Sequence, residues 1–266
     1  MKVTEINIYP IKSTRRIAVR ESEVLPRGLP WDRRWMLVDA AGSFITARQH
    51  PTLARVQTDI KHDVLQVSVE GRNTLQLPLQ PPDTQIACVT VWQDVCDAVL
   101  AGAQADAWFS AYLGLPCRLV QMTDELIRAV NPDYGQAGDE VSFADGFPLL
   151  LISEASLNDL NSRLQTPVSM RRFRPNLVVD GEGAYEEDRW RRIRVGDVEF
   201  EGVKNCSRCV VTTIDPDTGV KDPHKEPLRT LGSYRRQAQA GVYFGQNLIP
   251  RSRGVIHVGD RVEILE

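Results

Sequence analysis

The stretch LARVQTDIKHDVLQVSVEG, Leu53 to Gly71, decides the fold class. Val56, Thr58 and Ile60 recur at every second position, and after a polar break Leu65, Val67 and Val69 do the same. Period-two alternation puts one set of side chains on one face of a strand, so two strands and a turn are expected. RRWMLVDAAGSFITARQ, just upstream, repeats the device as strand, Gly-containing turn, strand. At the very start Ile6 and Ile8 alternate with Asn7 and Tyr9. Short strands at this spacing imply a barrel or sandwich over the first ninety or so residues.

Downstream, the pattern mixes in helices. In AGAQADAWFSAYLGL, residues Ala103, Ala107, Trp108, Ala111 and Tyr112 share a helical stripe, and Gly114 is placed to end it. SEASLNDLNSRL reads as a second helix, with Ser153 as N-cap and Leu157, Leu160 and Leu164 on one face. A short third helix is expected in EPLRTLGSYRR, with Pro227 in its first turn. NLVVD, VEFEG, VVTTI and RVEIL return to strand character. VNPDYGQAGDE, Val130 to Glu140, reads as a linker or exposed loop.

Composition narrows the function classes. The 266 residues are 42% hydrophobic and 25% charged, which suits a packed core and not a disordered chain. A net charge of -3 gives no global reason to expect nucleic-acid binding or attraction to a membrane surface. No apolar run reaches the roughly eighteen residues of a membrane span. The N-terminus lacks a signal-peptide core, so a cytoplasmic protein is the expectation. Five scattered cysteines do not form a disulfide framework.

Chemistry concentrates in VKNCSRCVVTTIDPDTG, Val203 to Gly219, which holds Cys206 and Cys209 as Cys-x-x-Cys. Structural zinc needs four Cys/His ligands, usually in two close pairs, and only one pair is present. A redox dithiol usually sits at a helix N-terminus, whereas VVTTI here reads as a strand. Two readings stay open: a thiolate ligand for a soft metal, favoured by the charge of Arg208, or a small buried hydrophobe. Three further stretches place basic and polar groups at strand ends: Lys12 and Ser13 in YPIKSTRR, Arg33 and Arg34 in WDRRWMLVD, and Arg174 and Asn176 in MRRFRPNLVV. Such side chains suit a phosphate or a polar heterocycle if the fold gathers them.

These stretches resemble the MOSC family, in the branch of the amidoxime-reducing components and their bacterial relatives. The matches are YPIKS, DRRW, TARQ, SEASLNDLNSRL, FRPN, CSRC and TTIDPDTG, in order along nearly the whole chain. The resemblance implies a mostly-β chain with a few helices. An N-terminal MOSC-associated β-barrel over residues 1–125 would be followed by a MOSC β-barrel over 126–266, completed by N-terminal residues around the cofactor. It implies a molybdenum cofactor, molybdenum on the dithiolene of a phosphorylated pterin, with Cys209 as protein ligand. Lys12, Ser13, Arg33, Arg174, Asn176, Ser207 and Arg208 match positions that contact the pterin or its phosphate. The family's hydroxyl residues after the aspartate of ADGFP are replaced by Gly146 and Phe147, which leaves backbone contacts there.

The activity so implied is two-electron reduction of N-hydroxylated compounds, N–OH to N–H, with release of water. Asp215 or Asp217 is the candidate proton relay. No cysteine follows Cys209, so no iron–sulfur cluster is expected in this chain, and a separate ferredoxin- or flavodoxin-type protein should supply the electrons. A cofactor-binding or sulfur-carrier module without reductase turnover is the alternative.

Overall fold

The computed structural model describes residues 1–81, 85–181, 183–237 and 241–266. The first half carries β1 (Val3–Ile8), β2 (Ile17–Val19), β3 (Glu21–Val24), β4 (Trp35–Val38), β5 (Phe44–Ile45), β6 (Gln57–Lys61), β7 (Val64–Ser68), β8 (Leu75–Pro78), β9 (Ile86–Val91), β10 (Asp94–Leu100), helix α1 (Ala103–Leu113) and β11 (Arg118–Gln121). The second half carries β12 (Leu149–Ser153), α2 (Glu154–Ser162), β13 (Leu177–Val179), β14 (Arg192–Val195), β15 (Val198–Arg208), α3 (Leu228–Tyr234), β16 (Arg236–Gln237), β17 (Gly241–Pro250), β18 (Gly254–His257) and β19 (Val262–Ile264). The chain is mostly β with a few helices, as the resemblance implied.

The Leu53–Gly71 stretch forms the antiparallel pair β6–β7, in register from Gln57 opposite Ser68 to Lys61 opposite Val64. Leu65 and Val67 are fully buried, and β8 extends the sheet beside β7. A second sheet runs in the order β5-β4-β11-β10-β9. Between these sheets lies a core that includes Trp35, Leu37, Leu53, Leu65, Phe109 and Leu119. Helix α1 closes that core, but with a face offset from the expected stripe. Ala105 and Phe109 are buried, with Trp108 and Tyr112 packed partly against them, while Ala103, Ala107 and Ala111 face solvent. One buried ring removes far more apolar area from water than several methyls, so Phe109 sets the rotation. Gly114 ends the helix in the left-handed conformation, at φ 70°.

The larger sheet runs β19-β14-β15-β17-β12-β13-β1-β2, with β16 on β17. β1 pairs antiparallel with β13, and β3 pairs with β18. The first two dozen residues therefore complete sheets built otherwise from the second half. Their burial explains the opening motif: Ile6 and Asn7 are both fully buried, because β1 has protein on both faces. Helix α2 begins as its cap dictates, with Ser153 Oγ accepting from Ser156 N at 3.1 Å. Leu160 is buried beneath it, with Leu157 and Leu164 partly so. The 130–140 stretch is a largely exposed loop pinned at its base by Val130 and Val141.

VVTTI departs from the sequence expectation. Val210–Thr213 is a 3-10 turn, not a strand. Thr212 Oγ1 donates to Cys209 O at 3.0 Å, and Thr213 Oγ1 donates to Val210 O at 2.7 Å. These local side-chain bonds offer the backbone a turn in place of a ladder, which outweighs the β preference of the residue types.

Candidate cofactor site

Antiparallel pairing of β1 with β13 sets the Lys12–Ser13 turn beside the approach to β13. Asn7 N donates to Asn176 O at 2.8 Å, and Asn176 Nδ2 donates to Asn7 O at 3.1 Å. The turn also borders the start of β4, because Lys12 N donates to Trp35 O at 2.8 Å. The loop before β12 and the end of β15 complete the enclosure. At this meeting of strand ends lies a cavity of about 150 Å³.

Lys12, Ser13, Arg33, Gly146, Phe147, Arg174, Asn176, Ser207, Arg208 and Cys209 all line it. The sequence residues chosen from five separate stretches are thus brought to one place. Ser13, Arg33 and Arg174 each adopt a left-handed backbone, at φ 77°, 50° and 60°. Non-glycine residues reach that region at a steric cost, and here three of them surround one cavity.

The charges in the cavity are unequal in their partners. Lys12 Nζ is 2.5 Å from Asp145 Oδ1 and donates to Phe143 O at 2.7 Å. Burial lowers the Lys12 ammonium below its ordinary range, with Asp145 opposing. Crowding by protein atoms pushes the Asp145 carboxyl up, but Lys12 and Arg48 outweigh it and hold the group well below the usual carboxylate range. Arg33 Nη1 donates to Asp32 Oδ1 and Oδ2 at 2.8 and 2.6 Å, and the guanidinium lies over the Tyr9 ring at 4.1 Å.

Arg174 and Arg208 differ. Among the described residues neither has a carboxylate at ion-pair distance. Arg174 Nη1 donates to Thr14 O at 2.5 Å, and its guanidinium stacks over Tyr9 at 4.2 Å. Burial first, then the neighbouring Arg33 charge, pulls it from 12.5 down to about 10. Arg208 donates to Phe173 O at 2.5 Å and to Cys206 Sγ at 3.0 Å, while its Nε is buried without a partner. Two half-buried cations without counter-charge, one holding an orphaned N–H, are what a cavity for an anion requires. The amide groups of Gly146 and Phe147 make no hydrogen bond within the described residues and border the same space.

Cys209 caps the 3-10 turn and is half-buried, its thiol free, on the cavity wall. Cys206 packs against the core beneath α2 and receives the Arg208 guanidinium. Arg208 thus bonds the first cysteine of the pair. A four-residue turn is too short to supply the helix dipole of a redox dithiol. Among the described residues no three His, Cys, Asp or Glu side chains converge to hold a metal by themselves.

Asp215 and Asp217 are not brought to the cavity. Asp215 Oδ1 accepts from Asp217 N and Thr218 N, both at 2.9 Å, and Oδ2 pairs with Arg172 at 3.3 Å. Asp217 takes a fork from Arg171 at 2.9 and 2.6 Å and pairs with Arg15 at 3.1 Å. Their turn chemistry uses the carboxylates that were candidates for proton transfer. Asn176 is also committed to the fold: its Oδ1 accepts from Leu150 N at 3.2 Å and Arg33 Nη1 at 3.1 Å. Sequence reasoning passed over Asp145 and Arg48, which pair at 3.2 Å on the cavity rim. Their signal was present in ADGFP and TARQ, but no spacing rule links two such distant loops.

Residues 1–116 match the MOSC N-terminal beta barrel domain, and residues 138–263 match the MOSC domain. The chain belongs to the MOSC family. It is 39% identical to mitochondrial amidoxime-reducing component 1 of Mus musculus over 99% of this chain and 82% of that protein. The human counterpart is 37% identical with the same coverage. Mitochondrial amidoxime reducing component 2 of Rattus norvegicus is 39% identical over 98% of this chain and 82% of its own length. A MOSC chain carries a function associated with the molybdenum cofactor, and the relatives are named for reducing amidoximes. The donor set fits that cofactor: cations and free amides for the phosphate and pterin, and a soft thiolate for molybdenum. No helix among the described residues is long and apolar enough to cross a membrane.

Proposed function

We propose that this protein is a molybdenum-cofactor-dependent reductase of N-hydroxylated compounds, taking electrons from a separate ferredoxin- or flavodoxin-type protein. The observation that carries the reading is the pair of uncompensated guanidiniums, Arg174 and Arg208, in one cavity with the Cys209 thiol. When bound, the cofactor supplies two-electron redox chemistry at molybdenum. Cys209 would hold the metal. Arg174, Arg208, Lys12 and Ser13 would anchor the phosphate, and the Gly146 and Phe147 amides would meet polar edges of the pterin. Arg33 and Asn176 act by positioning, since each is already bonded to protein partners. We extend the reading to the chain's division: 1–125 and 126–266, with β1 to β3 completing the second unit.

Metal and phosphorus analysis of purified, cofactor-loaded protein tests this, together with amidoxime reduction by a chemical reductant. Near-equimolar molybdenum and turnover are expected. Cys209→Ala should lose both, and Cys206→Ala should keep most of each. Zinc in place of molybdenum overturns the proposal. Molybdenum without turnover on any N-hydroxylated substrate favours the carrier module instead. With NADH alone and no added donor protein, turnover should be absent.

A further inference from the structure

Beyond the cofactor cavity the walls open into a cleft of about 890 Å³. The two spaces share Asp145, Gly146, Phe147, Cys206, Ser207 and Asn247, so the cleft leads directly to the cavity that holds Cys209. Its lining mixes polar groups with several large apolar and aromatic side chains that stand exposed. Trp92 is 47% exposed, Val95 67% and Ile127 65%, all facing this one space. Phe147 and Tyr134 meet edge to face, with centroids 5.8 Å apart. Isolated exposed apolar groups need no explanation, but a concave cluster beside a reactive centre marks a ligand's place.

Its charges are the second observation. Asp94 is neutralised by Arg128 at 2.6 Å, and Asp145 by Lys12 and Arg48. Lys204 remains. Its ammonium lies 4.0 Å from the centroid of the Tyr134 ring, and no carboxylate among the described residues comes to ion-pair distance. Lys204 and Cys209 lie five positions apart on β15 and the turn after it. At about 3.3 Å per residue that is roughly 16 Å, shortened by the bulge between Asn205 and Ser207. A ligand serving both ends must be longer than one ring.

We infer that the cleft selects an extended aromatic substrate that carries an anionic group at the end remote from its N–OH, with Lys204 as the anion's partner. Trp92, Ile127, Tyr134 and Phe147 cover the planar body, while Lys204 meets the anion beside its ring. This rests on the reductase reading for the N–OH end only. The charge preference is a property of the cleft and is measured separately.

The probes are three biphenyl amidoximes that differ only on the far ring, which bears a carboxylate, hydrogen or an aminomethyl cation. Calorimetric Kd and kcat/KM with a chemical reductant are read on the cofactor-loaded protein. The carboxylate should bind about three- to fivefold tighter than the neutral probe, the size of one half-exposed charge pair, and the cation weaker still. The preference should shrink as salt rises. Lys204→Met should bring the carboxylate to within about twofold of the neutral probe. Lys61→Met, whose side chain is 60% exposed on the remote β6–β7 hairpin, should leave the preference intact. Equal Kd for all three probes, or a preference that survives Lys204→Met, overturns the inference. Discrimination in Kd without reduction of any probe sinks the reductase reading and supports the charge preference. Reduction of all three with equal Kd does the reverse.

Discussion

Replacing Arg174 by Met separates a strut from an anion anchor. The fall from 12.5 to about 10 means that the fold holds this cation at a cost of about 3 kcal/mol, since one pH unit is about 1.4 kcal/mol. Against that, the side chain contributes a charged hydrogen bond to Thr14 O at 2.5 Å, about 1.5–3 kcal/mol. Stacking over Tyr9 at 4.2 Å adds about 0.5–2 kcal/mol. The terms nearly cancel, so the cofactor-free variant should keep its stability to within about 1 kcal/mol, a few degrees in Tm. With the cofactor bound the balance changes, because a phosphate supplies the missing counter-charge. The variant should then lose about 3 kcal/mol of binding, roughly a hundredfold in retention. Calorimetry of cofactor-free protein, with molybdenum and phosphorus content of the loaded form, reads both quantities. A cofactor-free variant destabilised by more than about 3 kcal/mol that still retains full molybdenum would refute the argument. Arg174 would then be a brace between Thr14 and Tyr9 and nothing more.

Two further predictions concern acids held by their partners, exposed Asp145 and buried Glu187. Asp145 titrates below its ordinary 3.8 in the fold, so its ion pairs stabilise the protein above that value and fail as pH falls through the lower folded value. Asp145→Asn should therefore flatten the acid limb of a circular-dichroism stability curve below about pH 4; an unchanged slope contradicts the assignment. Ser153→Ala should cost about 2 kcal/mol in urea unfolding, since Ser153 Oγ caps α2 and donates to Glu187 Oε2 at 3.0 Å. Burial already raises the Glu187 carboxyl, and loss of this donor raises it further, so the deficit should be larger at pH 8 than at pH 5. A pH-independent deficit would show that the cap alone matters.

How far each feature was legible depended on the range of the forces behind it. The β6–β7 pair was readable because its alternation, polar break and turn all lie within nineteen residues. Ser153 and Gly114 were readable because a cap acts within one helical turn. VVTTI was misread because two threonine hydroxyls, acting on carbonyls three residues back, overrode the β preference of the residue types. The face of α1 was misread because a count of small apolar residues gave no weight to the area of one phenylalanine. Asp215 and Asp217 looked available until Arg171, Arg172 and Arg15, from distant segments, were found on them.

The basic strand ends and the Ser-Arg-Cys run are properties of the chain by itself, and together with the family resemblance they named ten of the residues that line the cavity, though not Asp145 or Arg48. Local sequence also determined strand, helix and cap, because those forces act between near neighbours. It could not apportion charge. Arg33 meets its own chain neighbour Asp32, but that Arg174 and Arg208 are left without a counter-ion depends on which loops meet across β1 and β13. The same holds for Lys204, solitary beside Tyr134 in an aromatic cleft. Electrostatic partners are chosen by distance in space, and only the tertiary structure sets those distances.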